Sequence, residues 1–327
     1  MVKRVALLAV GLLIAGCSAP VAQSGPADQR TDVPVIDRAV RPLSAGLTVT
    51  VAGRELKLPK APERIVCLNG LCDDVLTELD ILPAATSNPT LLAHPALLGE
   101  RGSAVPVVKG SFGSEDVESI SALRPDLVIG LPGVHDPLRP AIEKFAPLWL
   151  VEPATWQESL ESLRALGALT GRTDAAVRAE QRFRDKLASA VTATHQNGQA
   201  KRKVLLMYGS ADSIGVDTSQ SLKGDLLGQL FTYPFPAKGA DTATASNYSV
   251  EELLAKQPDV VFVYSLLFSD KDRTLSAQLA DNPVWRRIPA VQQGHVYETH
   301  AKLWGSGRGT RSLTAVVDEA VAKVPAN

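Results

Sequence analysis

The sequence predicts an α/β protein built from two lobes with mainly parallel sheets, joined by one long helix. Segments typical of buried strands alternate with helical segments along most of the chain. A long helical stretch without a breaker divides the chain near its middle, and a motif that precedes this stretch recurs after it. With 327 residues and 45% hydrophobic content, the chain has enough material for two hydrophobic cores.

The dividing helix is predicted over residues 173–196. Gly171 ends the helix before it, Thr173 can cap its start, and Asn197-Gly198 is a typical stop signal. Apolar residues recur on one side at steps of three and four, namely Ala176, Phe183, Leu187, Ala190 and Val191. At 1.5 Å per residue this helix is about 36 Å long, which is enough to connect two lobes.

The repeated motif occupies residues 116–130 and 249–263, at an offset of 133 residues. Each copy combines a short helix, an acid near the helix start, an X-Pro-Asp break and an apolar run suited to a buried strand. One such joint is common in any α/β protein. Two copies on either side of a long helix indicate two lobes of related build.

The amino terminus resembles a targeting segment. Lys3 and Arg4 precede a short apolar stretch that ends in Ile14-Ala15-Gly16-Cys17, and this ending resembles a bacterial lipobox. In that interpretation residues 1–17 form the signal peptide and Cys17 is lipidated; an ordinary secretory signal with an incidental cysteine is the alternative. Residues 18–46 are rich in Ala, Pro, Ser and Asp without periodicity, and they predict a flexible tether.

The remaining elements follow in order. Residues 47–51 and 55–58 predict a hairpin that turns at Ala52-Gly53. Helices are predicted at 71–79, 222–230 and 310–323, and strands at 64–68, 105–108, 126–130, 148–151, 203–208, 259–264 and 295–299. The predicted domains are an amino-terminal lobe at 47–172, the inter-lobe helix at 173–197 and a carboxy-terminal lobe at 198–327.

These features together resemble one protein family. The lipobox, the hairpin, PERIVCLNG at 62–70, the repeated motif and WGSGRGT at 304–310 resemble cluster A-II/class III periplasmic substrate-binding proteins. These proteins serve ABC importers of ferric siderophores, haem and cobalamin. The resemblance implies two Rossmann-like lobes on a rigid helix, a ligand cleft between them and little closure on binding. It also implies no catalytic activity, no cofactor beyond a bound Fe(III) chelate, a monomer, and an importer permease dimer as partner.

Candidate ligand-binding residues follow from the loops at the carboxyl ends of the predicted strands, where ligands bind in open α/β sheets. Aromatic rings there could stack on a chelate, or could pack in the lobe cores instead. Arg308 could meet an anionic chelate, or it could be a solvated residue at a helix start. The candidates are Asn69, Phe112, Val134, Tyr208, Phe268, Trp304 and Arg308. Phe112 stands where hydroxamate binders of the family carry an arginine, which disfavours a hydroxamate ligand.

Glu118 and Glu251 hold equivalent positions in the two copies of the motif. A carboxylate near a helix start is favourable on its own, by about 0.3–1 kcal/mol. The family resemblance implies a second role, because its members dock on a two-fold symmetric permease through one acid per lobe.

Cys67 and Cys72 are the cysteines that remain if Cys17 is lipidated. A disulfide between them is expected in an oxidising compartment, while two small buried thiols are the alternative. Thiolate metal binding is disfavoured because no further ligands stand at a recognisable spacing.

Other functions find less support in the sequence. A net charge of −1 and a pI near 6.5 argue against a nucleic-acid surface. Bare Zn or Mn binding stays open, although His94 and His135, the histidines near the predicted cleft, form no HxxxH pair. An extracytoplasmic hydrolase also stays open, although no G-x-S-x-G motif occurs. The sequence favours a ferric siderophore over haem or cobalamin without naming the ligand.

Overall fold

The computed structural model describes residues 33–239, 245–265 and 272–326. The first half of the chain forms a parallel four-stranded sheet in the order β4-β3-β7-β8, flanked by helices and two small hairpins. Its elements are β1 (Thr48–Val51), β2 (Arg54–Lys57), β3 (Ile65–Cys67), α1 (Gly70–Glu78), β4 (Ala85–Thr86), α2 (Pro89–Leu92), β5 (Gly110–Ser111), β6 (Ser114–Glu115), α3 (Val117–Ala122), β7 (Leu127–Gly130), α4 (Arg139–Ile142), β8 (Leu148–Leu150) and α5 (Trp156–Leu169).

The dividing helix α6 covers Thr173–Gln196, as the sequence predicts. The five apolar positions predicted to face the protein interior are all buried. Arg172 is the N-cap residue and makes no capping hydrogen bond through its side chain, so the prediction that Thr173 caps the helix is wrong. At the other end Gly198 has a φ of +83°, a conformation that suits glycine and terminates the helix.

The second half forms a five-stranded sheet in the order β11-β10-β9-β12-β13. Strands β9, β12 and β13 are parallel, whereas β10 and β11 are antiparallel to their neighbours and extend one edge. The elements are β9 (Val204–Ser210), β10 (Ser213–Asp217), α7 (Leu222–Leu230), β11 (Ala245–Asn247), α8 (Val250–Lys256), β12 (Val260–Ser265), α9 (Leu275–Leu279), α10 (Pro289–Gln292), β13 (Val296–Glu298) and α11 (Thr310–Lys323).

The repeated motif has the same backbone conformation in both halves. Arg124 and Gln257, which are 133 residues apart, precede the Pro-Asp dipeptide with left-handed φ values of +50° and +53°. Asp126 accepts a hydrogen bond at 2.9 Å from the backbone N–H just before β3, and Asp259 accepts one at 2.8 Å from the N–H just before β9. The two aspartates therefore join equivalent parallel strand pairs, β3–β7 and β9–β12.

The two sheets share one hydrophobic core. The largest cluster of buried apolar side chains includes residues of β3 and α1, of α5 and α6, and of β9, β12 and α11. Smaller clusters cover the outer face of each sheet. The halves are thus joined by continuous apolar packing in addition to the long helix.

Helix α1 also caps the start of α11. Gly309, the N-cap residue of α11, offers no side chain, and the carboxylate of Asp74 accepts the backbone N–H groups of Arg311 and Ser312 at 3.0 and 2.9 Å. A Cβ on Gly309 would lie 2.4 Å from Asp74 Oδ1, so only glycine permits this approach. Burial raises the pKa of Asp74 to about 6.

Two further expectations need correction. Residues 105–108 form no strand, because Val107 makes only an isolated bridge with Thr86. Residues 37–42 belong to the predicted tether of 18–46, yet Arg184 and Arg164 donate hydrogen bonds to their backbone carbonyls and hold them along α5 and α6. The signal segment 1–17, with Cys17, lies outside the described residues. Within the described ranges, no helix is both long and apolar enough to cross a bilayer.

Candidate functional site

A cleft of about 270 Å³ opens between the two sheets, at the carboxyl ends of β8, β9 and β12. The first half contributes the loop after β7 and the segment after β8, and the second half contributes strand ends, the start of α7 and the loop before α11. The lining residues that carry polar groups or rings are Glu152, Tyr208, Asp217, Ser221, Lys223, Tyr264, Trp304 and Arg308.

Two tyrosines form an aromatic wall of the cleft. The parallel register of β9 and β12 places Tyr208 opposite Tyr264, and the rings stack with centroids 4.9 Å apart and an interplanar angle of 14°. Gly215 lies opposite Tyr208 on the antiparallel neighbour, where a Cβ would approach the ring to 2.5 Å. The glycine therefore makes room for the ring. Tyr208 is half-buried and lines the cleft between Tyr264 and the backbone of Gly215.

Asp217 is tied to this wall. The Tyr264 hydroxyl donates to Asp217 Oδ2 at 3.1 Å, and the Tyr233 hydroxyl donates to the Asp217 backbone carbonyl at 2.6 Å. Burial raises the pKa of the Asp217 carboxyl, against the opposing effect of the Lys223 charge. Burial also raises the pKa of both Tyr208 and Tyr264, so the phenols remain protonated at neutral pH.

Lys223 supplies a buried cation to the floor of the cleft. It lies in the first turn of α7, and its ammonium donates to the backbone carbonyl of Gly307. Burial lowers the pKa of Lys223 to about 7 with help from the Arg308 charge, while Asp217 opposes this shift. The floor can therefore bind an anion, and its charge depends on pH near neutrality.

Arg308 crosses from the second half towards the first. Its Nη2 donates to Glu152 Oε1 at 2.7 Å, and its Nη1 donates to the backbone carbonyls of Gly305 and Ser306. Its own backbone carbonyl accepts from Ser159 Oγ at 2.8 Å. The guanidinium lines the cleft, where it can meet an anionic ligand.

Phe112 and Val134 lie together on the amino-terminal half. Phe112 is at the tip of the β5–β6 hairpin, 65% exposed, with its ring edge-on to His135 at 5.7 Å. His135 Nδ1 accepts the backbone N–H of Leu131 at 2.8 Å, and its Nε2 lies 3.2 Å from Glu115 Oε1. The buried His135–Glu115 pair thus fixes the hairpin below Phe112.

Two predicted ligand residues are held by contacts inside the protein. Asn69 is buried, and its amide donates to the carbonyls of Gly130 and Val151 while its oxygen caps α1. Trp304 is 1% exposed, stacks on Phe262 at 4.8 Å and donates from Nε1 to a glutamate of α11. Trp304 nevertheless lines the cleft. Phe268 lies outside the described residues.

Cys67 and Cys72 are bonded as a disulfide, with their Cα atoms 5.4 Å apart, between the end of β3 and the first turn of α1. Both cysteines are buried, so the bond lies inside the first half and away from the cleft lining. The histidines do not assemble a metal centre: among the described residues, no three His, Cys, Asp or Glu side chains are grouped to hold an ion.

Three charged lining residues, Glu152, Asp217 and Lys223, were not predicted. Each stands alone in the sequence without a motif or a spacing rule. Only position in the chain could have indicated a cleft residue. Glu152 follows the end of a predicted strand, and Lys223 lies in the first turn of a predicted helix.

Comparison with known proteins agrees with this geometry. Residues 65–303 match the sequence profile described as periplasmic binding protein. The putative ABC transporter substrate-binding lipoprotein YhfQ of Bacillus subtilis strain 168 is 24% identical over 281 residues, covering 82% of this chain and 85% of that protein. The Fe(3+)-citrate-binding protein YfmC of the same organism is 24% identical over 327 residues, covering 97% and 95%.

Among solved structures, the iron uptake ABC transporter substrate-binding protein PiuA from Streptococcus pneumoniae superposes with a TM-score of 0.68 at 21% identity. The match covers 86% of this chain and 100% of that chain. At this identity the likeness establishes the two-lobed fold with its long helix.

Proposed function

This chain belongs to the periplasmic binding protein family, and we propose that it delivers a ferric chelate to an ABC importer. The observation that carries the proposal is the cleft, which combines a stacked tyrosine wall with the guanidinium of Arg308 and with Lys223, whose ammonium is charged below about pH 7, at a junction of two sheets. Such a site suits a compact anionic complex with flat or polarisable faces. The names of YfmC and PiuA point to iron for those relatives and support the same cargo here.

The ligand contacts in this proposal come from both halves. Tyr208 supplies an aromatic ring, Arg308 supplies positive charge, and Lys223 adds positive charge below about pH 7. Phe112 and Val134 are not among the residues that line the cleft; in this proposal the exposed Phe112 ring, on the same half, contacts the part of a chelate that extends beyond the cleft. The iron is cargo held within its chelator, so the protein needs no metal ligands of its own.

A titration of the mature protein tests this function. Ferric citrate, a ferric catecholate, ferrioxamine B, haem, cobalamin and zinc chloride are each added while intrinsic tryptophan fluorescence and heat of binding are recorded. We expect one ferric chelate to bind with a Kd on the order of micromolar or tighter, and the matching iron-free chelator to bind less well. Tight binding of haem, cobalamin or zinc alone would contradict the proposal.

Glu118 and Glu251 are proposed as the contacts with the importer permease. Both are exposed, and they occupy the same position in α3 and α8. Neither carboxylate has a hydrogen bond or ion pair within the part of the chain that the structure describes. Two acids at equivalent sites match the requirement of a two-fold symmetric partner with basic residues.

The double substitution Glu118→Ala with Glu251→Ala separates docking from helix stability. We expect complex formation with the permease and uptake to be lost, while ligand affinity and the melting temperature change little, since each first-turn acid contributes only about 0.3–1 kcal/mol to its helix. Glu161→Ala, at an exposed position on α5, is the matched control. Normal transport by the double variant would exclude the docking role.

Cys17 is proposed as the lipid attachment site, which would hold the protein outside the cytoplasm at a membrane surface. The lipobox-like Ile14-Ala15-Gly16-Cys17 supports this, and the relative YhfQ is named a lipoprotein. Incorporation of labelled palmitate into the wild type, and its absence in Cys17→Ser, is the expected result. Equal labelling of both proteins would contradict it.

A further inference from the structure

One ion pair spans the cleft between its two sides. Glu152 follows β8 in the first half, Arg308 precedes α11 in the second, and Nη2 of the arginine donates to Oε1 of the glutamate at 2.7 Å. Both residues line the cleft, and their side chains are 39% and 20% exposed, respectively. The pair therefore stands in the space that a ligand has to enter.

The guanidinium of Arg308 is held in place without Glu152. Its Nη1 donates to the carbonyls of Gly305 and Ser306 at 3.1 and 3.3 Å, and its backbone carbonyl accepts from Ser159. These bonds leave the second arm of the guanidinium directed at the cleft. A planar, fixed guanidinium of this kind binds a carboxylate oxygen well.

Glu152 is the more exposed partner and the one that can leave. Half-exposed ion pairs contribute little net stability because solvent screens them, so moving the Glu152 side chain into water costs little. Arg308, by contrast, is mostly buried and lies near the charge of Lys223. If Glu152 departs, another anionic oxygen has to take its place on Arg308.

We propose that Glu152 occupies, in the empty cleft, the position of an anionic oxygen of the ligand and thereby selects for anionic chelates. This inference rests on the proposed function. A chelate with a carboxylate or comparable anionic oxygen replaces Glu152 on Arg308 and keeps the guanidinium paired. A cationic chelate has to bind beside the intact ion pair, or has to break the pair without offering Arg308 a new anionic partner. Glu152 is then a specificity-determining residue that acts by competing for Arg308.

Two substitutions and their combination test this competition, with ferric citrate as the anionic probe and ferrioxamine B as the cationic probe. Glu152→Gln keeps the shape and removes the competing charge, so its Kd for ferric citrate should fall roughly twofold to fivefold, as expected for breaking a half-exposed ion pair. Arg308→Gln should weaken ferric citrate binding. Adding Glu152→Gln to Arg308→Gln should give no gain, because nothing remains to be released.

Glu161→Gln is the matched control, since it removes the same charge from an exposed position of α5. Unchanged or weaker ferric citrate binding by Glu152→Gln would overturn the inference, as would an equal gain in the Arg308→Gln background. Wild-type protein that binds ferrioxamine B but not ferric citrate would also overturn it while leaving the proposed function intact. Wild-type protein that binds no ferric chelate would remove the proposed function, and the inference with it.

Discussion

Replacing Lys223 by methionine tests how strongly the floor of the cleft is shielded from water. Lys223 is 4% exposed, and burial lowers the pKa of its ammonium from 10.5 to about 7. Between these values the unfolded chain holds a proton that the folded protein has released. The free energy of unfolding therefore rises as the pH increases from 7 towards 10.

The two pKa values fix the size of this effect. Linkage gives a gain of about 2 kcal/mol in the free energy of unfolding between pH 7 and pH 9, and a total penalty of about 5 kcal/mol below pH 7. Lys223→Met removes the titrating group and with it the slope. The substitution also leaves the Gly307 carbonyl without its donor, which shifts stability by a similar amount at every pH.

Urea unfolding at pH 6, 7, 8 and 9 without ligand measures the slope. Wild type and Lys144→Met, which replaces an exposed lysine, should gain stability from pH 7 to 9, and Lys223→Met should not. The same pH dependence in wild type and Lys223→Met would refute the reasoning. It would mean that the Lys223 ammonium is hydrated in solution and that the cleft floor is open to water.

Three further predictions concern the framework around the cleft. The Cys67→Ser, Cys72→Ser variant should lose about 2 kcal/mol of stability, because the cysteines are five positions apart and close a short loop; mass spectrometry of the wild type should show no free thiol at either position. Trp304→Ala should cost about 3–5 kcal/mol of unfolding free energy, because the ring is core; a normal melting temperature with lost affinity would restore its ligand role. Burial lowers the pKa of His94, so folding favours its neutral ring and stability is lost as the pH falls below about 6.5; His94→Gln should reduce the drop in Tm between pH 7 and 5, and an unchanged drop would exclude His94.

Much of the fold follows from local signals in the sequence. The dividing helix has its stop signal and apolar face within one segment, and the repeated motif has a Pro-Asp break that fixes the backbone in both copies. The sequence analysis does not predict the antiparallel strands β10 and β11; β10 returns along β9 after a two-residue turn, and β11 pairs with β10 from about 30 residues further along the chain. Residues 105–108 have strand-like composition, but pairing beyond one bridge is not available to them.

The cleft is less predictable because burial decides the role of each side chain. Asn69 and Trp304 stand in the right loops, yet their polar groups already have partners inside the protein. Trp304, Arg308 and Tyr208 line the cleft, whereas Asn69 does not. No feature of the sequence distinguishes Asn69 from the three residues that line the cleft. Space left by the partner strand also matters: Gly215 has no side chain, and this leaves room for the Tyr208 ring.

The common core of the two halves bears on how an importer could sense a loaded protein. Packing that continues from one sheet to the other, together with the Asp74 cap on α11, would hold Glu118 and Glu251 at one separation. A permease that binds both acids would then meet the same distance between them whether the cleft is empty or holds a ligand. A loaded protein would then differ from an empty one mainly at the cleft, through side chains such as Glu152 that the proposed cargo would displace, while the frame that carries them keeps its dimensions.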